Sequence, residues 1–164
     1  MTRTVTIGGF MGVGKTTVGR LLAGRLGVRF VDLDSVIEAG SGRSVSQVFS
    51  EDGEEAFRRL EKAALLQVLD GTPVVLALGG GTLHYADNAE VVAKRSDLYV
   101  LWSEFSVIAA RLGGTDSTRP LWRDAEELFA ARADGYRAAG VLVEVGNMPA
   151  DQVVSQIMES IPCV

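Results

Sequence analysis

Short runs of consecutive apolar, often β-branched residues recur along the chain, separated by longer stretches whose apolar positions return every three or four residues. The runs at residues 5–8, 29–32, 74–77, 98–102 and 142–145 read as strands. Helical spacing marks residues 15–26, 35–39, 54–69, 89–94, 106–112, 125–138 and 151–161. Strands apolar on both sides, alternating with amphipathic helices, predict an α/β domain: a five-stranded parallel sheet with helices on both faces. Two segments break the alternation. Residues 34–69 hold two or three helices before the next strand, enough for a small acceptor-binding lobe at about 33–61. Residues 113–124 are polar and open on Gly113-Gly114, as a mobile lid does. Within 54–69, Phe57, Leu60, Ala64 and Val68 are the expected buried stripe, which leaves Arg58 off its centre.

The turn between the first strand and the first helix reads Gly9-Phe10-Met11-Gly12-Val13-Gly14-Lys15-Thr16, a glycine, four residues, then Gly-Lys-Thr. A strand that turns tightly into a helix aims backbone N–H groups and the positive end of the helix dipole at one spot. Glycine lets that backbone curl around a polyphosphate without Cβ collisions. Gly12, Val13, Gly14, Lys15, Thr16 and Thr17 are therefore the expected residues for binding a nucleoside triphosphate, which the resemblance below makes ATP. Lys15 reaches the terminal phosphates, and the Thr16 hydroxyl is a ligand for Mg2+.

Composition removes several classes of function. At 164 residues, 47% hydrophobic and 23% charged, the chain fits one globular domain. Apolar runs such as residues 74–78 are too short to cross a bilayer, and Met1-Thr2-Arg3 leads straight into the first strand. No signal peptide and no membrane partner are expected, and the expected location is cytoplasmic. Cys163 and His84 are the single cysteine and histidine, which excludes disulfides, thiolate metal sites and a histidine-based triad. His84 itself is expected to be a solvated loop residue. A formal charge of −5 argues against a nucleic-acid partner. Small-molecule substrates and a monomeric state are the expectation.

The remaining chemistry sits at predicted strand and helix ends. Asp32 and Asp34 close the second strand, where ligands of open α/β sheets gather. One acid there can hold Mg2+ through water while the other orients an acceptor hydroxyl and takes its proton. The plainer alternative makes Asp34 a helix N-cap and Asp32 a solvated strand end. Arg58 lies three residues before Glu61, close enough for the acid to steady the guanidinium, and can grip a carboxylate; a solvated ion pair is the alternative. Gly79, Gly80 and Gly81 end the third strand at the same edge and can bring backbone against a ligand. Arg119 falls in the lid segment and Arg111 just before it, where cations can close over a transferring phosphoryl group. Arg111, Arg119 and Arg137 each also read as solvated loop or helix-end charges.

Taken in order, Gly9 to Thr17, Asp32-Leu33-Asp34, Gly42-Arg43-Ser44, Gly53 to Glu61, Leu78-Gly79-Gly80-Gly81, Arg119-Pro120-Leu121 and Tyr136-Arg137 resemble shikimate kinase over nearly the whole chain. The resemblance implies a P-loop kinase of the nucleoside-monophosphate-kinase type that phosphorylates the 3-hydroxyl of shikimate with ATP, in aromatic amino-acid biosynthesis. It implies that Asp34 binds the ring hydroxyls and is the base. Arg58 and Arg137 clamp the carboxylate, and Gly79, Gly80 and Gly81 line the acceptor pocket. Lys15 and Arg119 act on the phosphates, Thr16 and Asp32 on Mg2+, and Arg111 packs against adenine. The chain departs from the family in carrying Asp134-Gly135 before Tyr136-Arg137 where Pro-Leu is frequent, and Trp122 where leucine is expected. Gly135 inside a helix costs about 1 kcal/mol and invites a bend. Read without the resemblance, the residues leave open a related kinase acting on gluconate or a nucleoside monophosphate, and a nucleotide-binding module with no acceptor site.

Overall fold

A computed structural model describes residues 3–112 and 124–162. Five strands, β1 (Thr4–Gly9), β2 (Phe30–Asp32), β3 (Val75–Ala77), β4 (Ser96–Trp102) and β5 (Val141–Glu144), form one parallel sheet in the order β2-β3-β1-β4-β5. All six residues of β1 and all three of β3 are buried, so both faces of the sheet centre are covered. The expected five-stranded parallel α/β sheet is therefore present, with strand ends shifted by one or two residues.

The helices are α1 (Lys15–Leu26), α2 (Leu33–Ser41), α3 (Val45–Leu69), α4 (Asn88–Arg95), α5 (Phe105–Arg111), α6 (Ala125–Ala139) and α7 (Ala150–Ser160). α1 packs on α7 and on the β2, β3 and β1 side of the sheet, while α4 and α6 pack against β4. Val5, Ile7, Leu22, Leu65, Leu76, Val100, Ile108 and Ile157 lie in one continuous core. No helix among the described residues is long and apolar enough to cross a membrane.

Between β2 and β3 the chain makes more helix than the apolar pattern predicts. α3 starts at Val45, nine residues before the expected helix. Ser44 caps it: its side chain accepts from the Gln47 amide at 3.1 Å, and Gln47 Oε1 accepts from the Ser44 amide at 2.9 Å. This reciprocal box nucleates a first turn that hydrophobic spacing does not reveal. Gly53, at φ 84° and ψ 172°, then breaks the helical path and kinks α3. By contrast α6 runs unbroken through Gly135. A helical glycine does not bend it.

Candidate active site

Strand register assembles the site. Ile7, Ala77 and Asp32 stand in one row across β1, β3 and β2, so the segments leaving these strands start side by side. From β1 comes the glycine loop. Gly9, Gly12 and Gly14 have φ of 134°, 75° and 110°, a region in which side chains are strained. No side chain caps α1, whose first amides are thus left to an anion. Lys15 folds back over the loop and donates to the Gly9 and Phe10 carbonyls at 2.8 and 2.9 Å. Burial pulls its ammonium down to about 8, against the opposing pull of Asp34 and Asp32. So desolvated a cation gains strongly from an arriving polyphosphate.

β2 ends at Asp32, which caps α2: its Oδ1 accepts from the Asp34 amide at 3.0 Å. The cap falls to Asp32 rather than to Asp34, which leaves the Asp34 carboxylate for the pocket. Asp32 Oδ2 stands 3.5 Å from Thr16 Oγ1. Two hard oxygen donors side by side at the phosphate loop fit Mg2+, which keeps several waters and needs only one or two protein ligands. No group of three or more His, Cys, Asp or Glu that could hold a metal ion occurs among the described residues.

Beyond β3, Gly79 passes directly over Asp34. A Cβ there would lie 3.2 Å from Asp34 Oδ1 and 3.4 Å from Glu61 Oε1. The Asp34 carboxyl is pushed up to about 6, first by burial, then by Asp32 and Glu61, with Lys15 working the other way. Glu61 is 1% exposed and Arg58 7%, whereas Leu60 is 37% exposed. The expected stripe is thus rotated: Phe57, Arg58, Glu61, Ala64 and Leu65 face inward. Complete hydrogen bonding makes a charged pair tolerable there. Glu61 Oε2 accepts from Arg58 Nη1 at 2.8 Å, and Oε1 accepts from the Thr82 hydroxyl at 2.6 Å.

Opposite Arg58 stands a residue the sequence reading passes over, Arg132. A Cβ on Gly81 would lie 2.5 Å from Arg58 Nη2 and 3.1 Å from Arg132 Nη2; one on Gly80 would come within 4.0 Å of Arg132 Nη1. Arg137, expected to share the pocket with Arg58, lies elsewhere. Its guanidinium carbon sits 4.4 Å from the centre of the Trp102 ring, and its side chain is half exposed, 3.7 Å from Asp134. Helix geometry explains the exchange. Arg132 precedes the buried Tyr136 by one turn and shares its face, whereas Arg137 is rotated about 100° away from Tyr136. The Tyr136 hydroxyl donates to the Gly80 carbonyl, and burial pushes the phenol up to about 12.

On the other side of the loop a cleft of about 410 Å³ is lined by Gly12, Val13, Gly14, Thr17, Arg111 and Asn147 among others. Arg111 Nη1 donates to the Val13 carbonyl at 3.4 Å, and Nη2 to the Gly146 carbonyl. Arg119, and all but Asp124 of the expected lid, lie outside the described residues.

The profile of the family described as "Shikimate kinase" matches residues 11–162. The chain belongs to the shikimate kinase family. A shikimate kinase of Caulobacter vibrioides is 38% identical over 165 residues, spanning 97% of this chain and 82% of its own length. One of Thermus thermophilus is 37% identical over 163 residues, spanning 96% of this chain and 89% of its own. The fold also follows the solved shikimate kinase of Acinetobacter baumannii in complex with shikimate, with a TM-score of 0.88 at 30% identity, covering 97% of this chain and 92% of the other.

Within a chain of this family, Arg132 and the Tyr136 hydroxyl are the features the linear reading lacks. The signal for both is the spacing Phe129, Arg132, Tyr136, which lies on one helix face. His84 is exposed, as a solvated residue is, but it is not a plain loop residue. It closes a 3₁₀ turn, Thr82–His84, and its exposed ring stacks edge-on to Tyr136 at 4.5 Å and 81°.

Proposed function

We propose that the chain transfers the γ-phosphoryl group of ATP to the 3-hydroxyl of shikimate, giving shikimate 3-phosphate and ADP in aromatic amino-acid biosynthesis. The observation that carries this reading is the meeting of Asp34, Arg58 and Arg132 around Gly79, Gly80 and Gly81, next to Lys15. A hydroxy acid needs cations at one end and a hydroxyl-orienting carboxylate at the other, and the pocket supplies both.

In this reading the glycine-loop amides and Lys15 hold the β- and γ-phosphates, Arg119 joins them, and the base lies by Arg111. Arg58 and Arg132 grip the substrate carboxylate, with Glu61 fixing Arg58; this role passes from Arg137 to Arg132. Asp34 aims the hydroxyl at the phosphorus and receives its proton as the new O–P bond forms and the bond to the ADP oxygen breaks. A carboxyl near 6 is a stronger base than an ordinary aspartate, yet is still ionised at neutral pH. Thr16 directly and Asp32 through water would hold Mg2+, which supplies charge neutralisation on the phosphates.

The test is ADP release in a coupled assay. Release should depend on shikimate and be indifferent to gluconate and to nucleoside monophosphates. Turnover of either alternative at a rate matching shikimate would overturn the assignment.

A further inference from the structure

We infer that His84 is a positioning residue for the acceptor pocket, seated through a space that Gly135 leaves open in α6. The inference rests on the reading of Arg132 as a carboxylate ligand and extends it to residues that do not touch the substrate.

His84 follows the triple glycine almost at once, ending the turn that begins at Thr82. Its Nε2 lies 3.0 Å from the Arg132 carbonyl oxygen. A carbonyl only accepts, so Nε2 carries the proton and donates. In a regular helix the same carbonyl already accepts from the amide four residues on, that of Tyr136, and the histidine takes its second lone pair. The imidazole packs against the Tyr136 ring in a T-shaped contact at the same time. Both residues that His84 touches hold the pocket: Arg132 stands over Gly80 and Gly81, and the Tyr136 hydroxyl binds the Gly80 carbonyl. One ring therefore ties the glycine turn to the helix that carries the second arginine.

Gly135 supplies an independent observation. Its backbone is helical, so no left-handed torsion calls for glycine, and glycine is a poor choice inside a helix. Space accounts for it. A Cβ at Gly135 would lie 2.6 Å from His84 Nε2 and 3.0 Å from Cδ2. Any side chain there drives the imidazole off the Arg132 carbonyl. His84 and Gly135 act as a pair, and the Arg132 backbone, hence its guanidinium, is held by the outcome.

The experiment is steady-state kinetics on the full chain. His84→Ala should raise the KM for shikimate about 5- to 10-fold, the effect of losing one hydrogen bond at a positioning group. The KM for ATP and kcat at saturation should stay within about 2-fold of the parent. Gly135→Ala should reproduce this by displacing the ring. The double variant should be no worse than either single one, because the clash needs the imidazole. His84→Gln, whose amide N–H can reach the same carbonyl, should recover most of the lost affinity. An unchanged KM in His84→Ala, or effects of the two substitutions that multiply, overturns the inference. Arg132→Ala tells the two levels apart. A raised KM there with none in His84→Ala sinks the role of His84 alone. No rise in either variant sinks the carboxylate reading beneath it.

Discussion

Arg58 and Arg132 reach Gly81 from opposite elements, α3 and α6, and bring two guanidinium groups to 2.5 and 3.1 Å from a single point above its backbone. Like charges this close repel in a partly buried site, and only Arg58 has a buried acid bound to it, Glu61, among the described ion pairs. A bound carboxylate relieves that repulsion, because each of its oxygens can take one cation.

Removing either arginine should therefore cost substrate affinity more than turnover. Arg58→Ala and Arg132→Ala are each expected to raise the KM for shikimate about 30- to 100-fold, the scale of a lost charge-assisted pair. Arg137→Ala, which removes a cation from the Trp102 ring, should change it less than about 3-fold. Titration of the three variants with shikimate ranks them; an Arg137 effect larger than that of Arg132 reverses the assignment.

Gly81 offers a test that leaves both arginines in place. Its φ of −99° is open to alanine, so Gly81→Ala brings no backbone strain, only a methyl group where Arg58 Nη2 now sits. The KM for shikimate should rise at least about 10-fold while that for ATP stays within about 2-fold, and thermal melting should move by only a few degrees. Parental affinity in this variant would mean that the arginines do not converge on substrate there.

How much of this was legible in one dimension follows from what each signal measures. The five strands, the glycine loop and the Asp32, Asp34 pair depend on local patterns, and the parallel sheet expected from them is present; the strand order β2-β3-β1-β4-β5 depends on long-range pairing that no local pattern carries. The face of a helix is harder to read. Leu60 outranks Arg58 and Glu61 in hydrophobicity, yet it is the more exposed, because Glu61 is satisfied by Arg58 on its own helix and by Thr82 from an element 21 residues away. Periodicity assigns burial by apolarity and has no access to such a partner. The exchange of Arg137 for Arg132 has a similar origin. The adjacent Tyr-Arg pair is conspicuous in sequence, but only the residue one turn earlier shares the face that the buried Tyr136 defines.

Glu61 should prove structural and functional at once. Glu61→Gln keeps a side chain of the same shape but removes the charge that faces a 7%-exposed guanidinium, leaving Arg58 only the exposed Glu54 at 3.3 Å. Breaking one side of a buried pair costs on the order of 3 kcal/mol. Urea unfolding should show a loss of about that size, together with a raised KM for shikimate. Equal stability of the variant and parent would mean that the Glu61 charge contributes nothing net to the fold.

Asp34 carries the clearest pH signature. Its folded-state carboxyl is raised from 3.8 to about 6 by burial and by the nearby Asp32 and Glu61. Ionising it therefore opposes folding: the favourable contribution is whole below about pH 4 and is lost as the pH climbs through about 6. Asp34→Asn should accordingly be more stable to urea unfolding than the parent at pH 8, by about 1–2 kcal/mol once solvent screening of a partly exposed group is allowed for. That gain should close as the pH approaches 4. Catalysis should move the opposite way. In the parent, kcat/KM for shikimate should fall as the pH drops below about 6, where the carboxylate takes up its proton, and Asp34→Asn should lose about 100-fold or more in turnover together with that acid limb. ATP affinity should stay within a few-fold, because the loop that binds it does not use this side chain. A variant that gains stability but keeps near-parental turnover would leave Asp34 as a strained spectator, and the proton would have to find another acceptor.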